Sequence, residues 1–268
     1  MGSGIAQIAA QSGFNVIQFD VNSEMLFKSQ SAIESDLKKL VGREKITASQ
    51  QEEIKQRIVF TSEIKNCCAD IIIEAVVENK KIKQQLFDEL CLINDSTTIF
   101  ATNTSSISVS ELSVNKNYAS RFAGMHFFNP AQIMKLVEII RAAGTGEDVI
   151  ETLVQLSKQL GKTPVVCNDA PGFIVNRVAR HYYLEAMQLL EEEAASVEAI
   201  DKVMEATGFK MGPFKLMDLI GMDVNYSVSN IVWEALGKPE RLKPSTIQKN
   251  KVAANELGKK TGKGFYEY

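Results

Sequence analysis

The sequence predicts an α/β chain in which a doubly wound parallel sheet is followed by an all-helical C-terminal domain. Two observations carry this. Through the first half of the 268 residues, short apolar runs alternate with stretches of helical periodicity. Beyond Asp169 only the helical periodicity remains. Parallel strands need crossover connections, and alternating strands and helices supply them. The turn residues and proline of Asn168-Asp169-Ala170-Pro171 mark the change. The expected domains are therefore 1–168 and 169–268.

The opening MGSGIAQIAAQSG reads as a helix stopped at Gly13. FNVIQFD is a short apolar strand ending in an acid. Residues 23–41 are amphipathic, with Met25, Leu26, Ile33, Leu37, Leu40 and Val41 at helical spacing. IVFTS is a second strand, and the unbroken apolar run of ADIIIEAV suits a strand buried on both faces. KKIKQQLFDELCLI is helical; TTIFATNTSS is a strand with its turn; RFAGMHFFNP and LVEIIR continue the series. A helix over 147–161 leads to the strand TPVVC. The C-terminal helices are expected at 172–193, 196–207, 213–236 and 245–257.

Composition narrows the function classes. The formal net charge is −3, with no basic excess to attract nucleic acid or an anionic membrane. No apolar run approaches the roughly eighteen residues that span a bilayer, and the N-terminus lacks the charged region of a signal peptide. Cys67, Cys68, Cys91 and Cys167 have no CxxC spacing and no neighbouring histidine, so no zinc site is expected. They read as reduced, buried thiols of a cytoplasmic protein.

Dinucleotide-binding domains begin with a strand and a G-x-G-x-x-G turn, whose glycines let the backbone approach a pyrophosphate at the helix N-terminus. Here Gly2 matches the last glycine, and the strand and first two glycines are absent. The first strand is central in the common strand order, so a chain without it is expected to show unpaired edges, to fold poorly and to hold cofactor weakly, and the start is therefore expected to be an internal Met or a trimmed end. The acid for the adenine ribose belongs about twenty residues beyond the glycines, where Asp20 ends FNVIQFD. A plain strand-terminating aspartate fits this position equally well. No arginine follows closely to meet a 2′-phosphate, which favours NAD over NADP.

His126, between Met125 and Phe127, is one of only two histidines. Imidazole titrates near neutrality and suits proton removal from an alcohol, although a histidine among apolar residues is more often a core residue satisfied by the backbone. Glu138 lies in the apolar stretch KLVEII. Burying a carboxylate there is costly unless it is paired, which calls for a partner.

ATNTSS, FAGMHFFNPAQIMKLVEII, DAPGFIVNR, MGPFKLMDLIGMDV and KKTGKGFYEY resemble, in order and spacing, the motifs of the 3-hydroxyacyl-CoA dehydrogenase family. The resemblance runs from Gly2 to Tyr268 and implies a Rossmann-like domain, NAD as cofactor and oxidation of L-3-hydroxyacyl-CoA to the 3-oxo product. It makes His126 the catalytic base, Glu138 its orienting carboxylate, and Ser105 and Asn176 the partners of the reacting oxygen. It places Glu78, Lys83, Asn103, Ser105, Asn129 and Lys260 around the nicotinamide ribose and phosphates. Lys39 and Arg43, with Lys38, correspond to a CoA-contacting segment, although a solvated helix face accounts for them nearly as well. The resemblance further implies acyl-CoA bound between the domains, a homodimer formed through the helical domain, and short acyl groups of the hydroxybutyryl type used in fatty-acid or butyrate metabolism. Two alternatives remain open from sequence: a dehydrogenase of the same fold acting on a hydroxy acid without CoA, and a non-catalytic, crystallin-like relative.

Overall fold

The computed structural model describes all 268 residues, which divide into two compact units, Met1–Asp169 and Ala170–Tyr268. The first unit contains α1 (Gly2–Gln11), β1 (Val16–Phe19), α2 (Ser23–Gly42), α3 (Ala48–Gln56), β2 (Ile58–Thr61), β3 (Ile71–Glu74) and α4 (Lys80–Ile93). It continues with β4 (Ile99–Thr102), α5 (Val109–Ser113), β5 (Phe122–Phe127), β6 (Leu136–Arg141), α6 (Glu147–Gln159) and β7 (Thr163–Asn168). α3 has no counterpart in the sequence reading. It is set by a capping box in which Thr47 and Gln50 exchange side-chain and backbone hydrogen bonds.

The strands form two sheets, β1-β2 and β3-β4-β5-β6-β7. β1 and β3 each stand at the end of a sheet. Pairing is parallel except between β5 and β6, so the expectation of a parallel sheet is corrected at this one pair. The physical reason is the length of the connection. Residues 128–135 are too few for a crossover, which takes about a dozen or more, and the chain must double back.

One core cluster joins Ile5 and Ile8 of α1, Met125 and Phe127 of β5, Val137 and Ile139 of β6, and Val149, Ile150 and Leu153 of α6. A second patch is aromatic. Phe87 meets Phe122 edge-on at 4.8 Å, and Phe100 and Tyr118 complete the group. Gly124 in β5 permits close packing, because a Cβ there would fall 2.8 Å from Ile140 and 3.0 Å from Val109. Cys67 alone of the thiols is buried; Cys91 and Cys167 are half-buried and Cys68 is exposed, which corrects the expectation of four buried thiols.

The second unit contains α7 (Val175–Glu191), α8 (Val197–Ala206), α9 (Pro213–Ile220), α10 (Met222–Ala235) and α11 (Thr246–Ala253). The single helix expected over 213–236 is two helices. Gly221 divides them, with φ at 102°, a conformation that side-chain-bearing residues avoid. Two buried aspartates organise this unit. Asp201 accepts hydrogen bonds from the amides of Phe214 and Lys215 at the start of α9, and from the Tyr266 hydroxyl at 2.8 Å. Asp218 accepts from the amides of Phe265 and Tyr266 and from the Tyr268 hydroxyl, which fastens the C-terminal segment. Tyr183, Met187, Phe214, Met217 and Met222 form the apolar centre between these helices.

Candidate active site

β5 and β6 are adjacent antiparallel strands, and their register places His126 directly opposite Glu138. Directly opposed residues project from the same face, so a sequence separation of twelve ends in one side-chain pair. His126 Nδ1 lies 2.8 Å from Glu138 Oε2, with both residues buried. The carboxylate holds the ring and favours a proton on Nδ1, which directs the basic function to Nε2. Phe128 packs beside the imidazole with ring centroids 4.7 Å apart.

The C-terminal ends of β3 and β4 carry a second polar group. Glu74, at the end of β3, is ion-paired to Lys83 at 2.6 Å and accepts from the Thr102 hydroxyl at 2.7 Å. Lys83 on α4 is buried, and its ammonium also lies 3.2 Å from Glu78. Glu78 accepts hydrogen bonds from the Thr104 hydroxyl, the Ser105 amide and the Ser106 hydroxyl. Burial would raise the Glu78 pKa, but the Thr104 bond, the Lys83 charge and the Ser106 bond together hold it below the ordinary carboxylate range. Asn103, just beyond β4, accepts from the Phe127 amide at 2.8 Å and so ties the Ser105 loop to the strand carrying His126. Asn129 is exposed and precedes Pro130 across a cis peptide bond.

The first unit thus collects His126, Glu138, Glu78, Lys83, Asn103 and Ser105 at the ends of β3, β4 and β5, with Asn129 just after β5. Lys83 acts through Glu74 and Glu78 and presents no exposed charge. Asp20 stands just past the end of β1 and accepts from the Asn22 amide at 2.9 Å. Gly2 opens α1, which has neither a side-chain cap nor an acid in its first turn. Those are the terms on which a helix N-terminus receives a phosphate. Lys39 is exposed and paired with Asp36 at 2.9 Å, and Arg43 follows the end of α2. Asn176 and Lys260 belong to the second unit: Asn176 begins α7, and Lys260 is ion-paired to Asp223.

Sequence reading missed Glu74, Thr102 and Thr104. Glu74 was open to the reasoning applied to Glu138, because a carboxylate that closes an apolar strand needs a partner. Its partner Lys83 is nine residues away and becomes a neighbour only when α4 packs on the sheet.

The residues present fit a dinucleotide. Acids and amides stand at the C-terminal ends of parallel strands, where open α/β sheets bind ligands, and α1 turns its N-terminus to the same end.

Comparisons with known proteins identify the family. Residues 1–170 match the model of the NAD-binding domain of 3-hydroxyacyl-CoA dehydrogenase, and residues 172–268 match that of its C-terminal domain. A 3-hydroxyadipyl-CoA dehydrogenase of Escherichia coli is 42% identical over the whole chain, which spans 57% of that relative's length. A probable 3-hydroxybutyryl-CoA dehydrogenase of Deinococcus radiodurans is 40% identical over the whole chain and 96% of its own length. Among solved structures, (S)-3-hydroxybutyryl-CoA dehydrogenase from Ralstonia eutropha superposes with a TM-score of 0.96 at 37% identity, covering 100% of this chain and 95% of that one. The expected resemblance therefore holds along both units, and the chain belongs to the 3-hydroxyacyl-CoA dehydrogenase family.

Proposed function

We propose that the chain catalyses NAD-dependent oxidation of a short-chain L-3-hydroxyacyl-CoA to the 3-oxoacyl-CoA, and the reverse reduction. The observation that carries this reading is the buried His126–Glu138 pair, 2.8 Å apart at the strand ends that hold the Glu78–Lys83 network. Bound NAD supplies the acceptor for the hydride that leaves C3. His126 removes the proton from the 3-hydroxyl through Nε2, and Glu138 stabilises the imidazolium that forms. Ser105 holds the reacting oxygen, and by family resemblance Asn176 does the same. In reduction His126 returns its proton to the developing alkoxide.

Relatives named for hydroxybutyryl and hydroxyadipyl substrates support short acyl groups. Gly2, Asp20, Glu78, Asn103 and Asn129 are assigned to NAD contacts, with Lys83 behind Glu78. Lys260 is assigned to the cofactor, and Lys39 and Arg43 to the CoA phosphates. No helix is long and apolar enough to cross a membrane. A cytoplasmic homodimer, paired through the helical unit, completes the reading.

The test is NADH oxidation, followed by absorbance, with acetoacetyl-CoA. Turnover is expected, and it disappears in His126→Ala while nucleotide binding stays within a few-fold. Near-normal turnover in His126→Ala overturns the assignment. Turnover of a free hydroxy acid in preference to its CoA thioester points instead to a dehydrogenase acting without CoA.

A further inference from the structure

The second unit buries a cation that no anion answers. Arg180 on α7 is 3% exposed. Its Nε donates to the Asn176 carbonyl at 3.0 Å, and its Nη1 donates to the Asn225 carbonyl at 2.9 Å and to Ser229 Oγ at 3.0 Å. The Tyr183 ring lies 4.9 Å from the guanidinium carbon. Every one of these partners is neutral. The lysines of this unit that form ion pairs all meet carboxylates, and Arg180 meets none. Burial pushes its pKa down to about 10, so it keeps its charge at neutral pH.

The surroundings are short of acceptors. Asn225 and Ser229 on α10 and Gln248 on α11 are each no more than 1% exposed. Gln248 Nε2 donates to both Asn225 Oδ1 and Ser229 Oγ, at 2.6 and 3.1 Å. Asn225 Nδ2 is buried with no partner, and Arg180 Nη2 makes no hydrogen bond. Packing alone gives no reason to gather a guanidinium and an unused amide donor around neutral groups. Buried charges are ordinarily paired. Two unused donors, one of them cationic, suit the two oxygens of a carboxylate.

Position on the helix indicates which carboxylate. Arg180 lies four residues after Asn176, so the two share a face of α7, one turn of about 5.4 Å apart. Asn176 is the residue proposed above to hold the oxygen on C3. In a six-carbon diacid thioester the far carboxyl carbon is three carbon–carbon bonds beyond C3, roughly 4 Å at about 1.5 Å each. Arg180 Nε lies 3.0 Å from the Asn176 carbonyl, so the guanidinium stands within reach of such a tail from that residue.

We propose that Arg180, with Asn225, binds the terminal carboxylate of a dicarboxylic 3-hydroxyacyl-CoA, and that this chain prefers such substrates over monocarboxylic ones of equal length. The proposal rests on the dehydrogenase reading and adds a specificity-determining residue to it.

The experiment compares 3-hydroxyadipyl-CoA with 3-hydroxyhexanoyl-CoA, which has a methyl group where the diacid has its carboxylate. A desolvated charge-assisted contact corresponds to a preference of roughly 10- to 100-fold in kcat/KM for the diacid. Arg180→Met brings this ratio to about one, chiefly through a higher KM for the diacid, and Arg180→Lys retains part of it. Equal kcat/KM for both substrates in the unaltered chain overturns the proposal, whether or not the variants fold. So does an Arg180→Met variant that lowers both substrates alike. Calorimetric titration of the unaltered chain with the two thioesters reads the same preference without turnover. Acetoacetyl-CoA, which has no terminal carboxylate, separates the two claims: its turnover without a diacid preference sinks only the role of Arg180. Failure to turn over any of the three sinks the dehydrogenase reading and the proposal with it.

Discussion

His126 and Glu138 are joined twice, once through the β5–β6 register that sets them opposite each other and once through a 2.8 Å side-chain contact. The geometry of the pair is therefore a property of the sheet and needs no loop to organise it. Antiparallel strands let a twelve-residue separation close into direct contact, which a parallel pair with so short a connection does not allow.

The first prediction concerns this pair. Glu138→Gln keeps the size of the side chain and removes its charge, so the imidazolium loses its counter-ion and the ring its preferred tautomer. We expect kcat to fall about 10²- to 10⁴-fold, with KM changed much less. Steady-state kinetics with acetoacetyl-CoA give the answer, and a change confined to KM contradicts the orienting role.

Lys83 provides a second test. It is 1% exposed and pairs with Glu74, whose side chain is fully buried. Lys83→Met leaves Glu74 charged and without a counter-ion, a loss of about 3–5 kcal/mol. Adding Glu74→Gln should recover most of this, because the remaining amide still accepts from Thr102. Urea denaturation of the single and double variants measures both numbers. A double variant no more stable than Lys83→Met alone shows that the charge pair is not the source of the loss.

The third prediction uses Cys167 on β7 as a reporter of Glu138. Burial, the Glu138 charge and the Asp169 charge together push its pKa up to about 11. At about pH 8 it then holds on the order of a hundredfold less thiolate than an ordinary cysteine, and thiolate is the reactive form. Iodoacetamide should label exposed Cys68 first and Cys167 far more slowly. As pH rises towards the raised value the Cys167 rate should climb. In Glu138→Gln the negative charge is gone, the thiol pKa falls, and labelling of Cys167 accelerates at fixed pH. Peptide mapping by mass spectrometry reads each site, and an unchanged Cys167 rate in that variant shows that Glu138 carries no charge there.

Much of this protein was legible before any coordinates. The alternation of strand and helix, the change of character near Asp169, and the need of Glu138 for a partner all follow from local pattern and from the cost of burying a charge. The motif HFFNP marked His126, and the resemblance to a family supplied its role. Local signals of this kind survive in a linear reading because each depends on residues within a turn or two of one another.

Tertiary structure decided what depends on distant residues. The reversal of β6 follows from a connection too short to cross over, and Gly221 cuts one expected helix into two through a backbone conformation that periodicity does not register. Lys83, which the resemblance places beside the cofactor, is a buried counter-ion because α4 covers the end of β3. Arg180 sits among Asn176, Asn225, Ser229 and Gln248 because three helices converge there. The sequence by itself determined the alternation of strands and helices, the change of character near Asp169 and the candidates His126 and Glu138, since propensity, periodicity and motif are local. Only the packed chain determined which charges are paired and which are left to meet a ligand, because electrostatic partnership and exclusion of water exist only between segments brought together by folding.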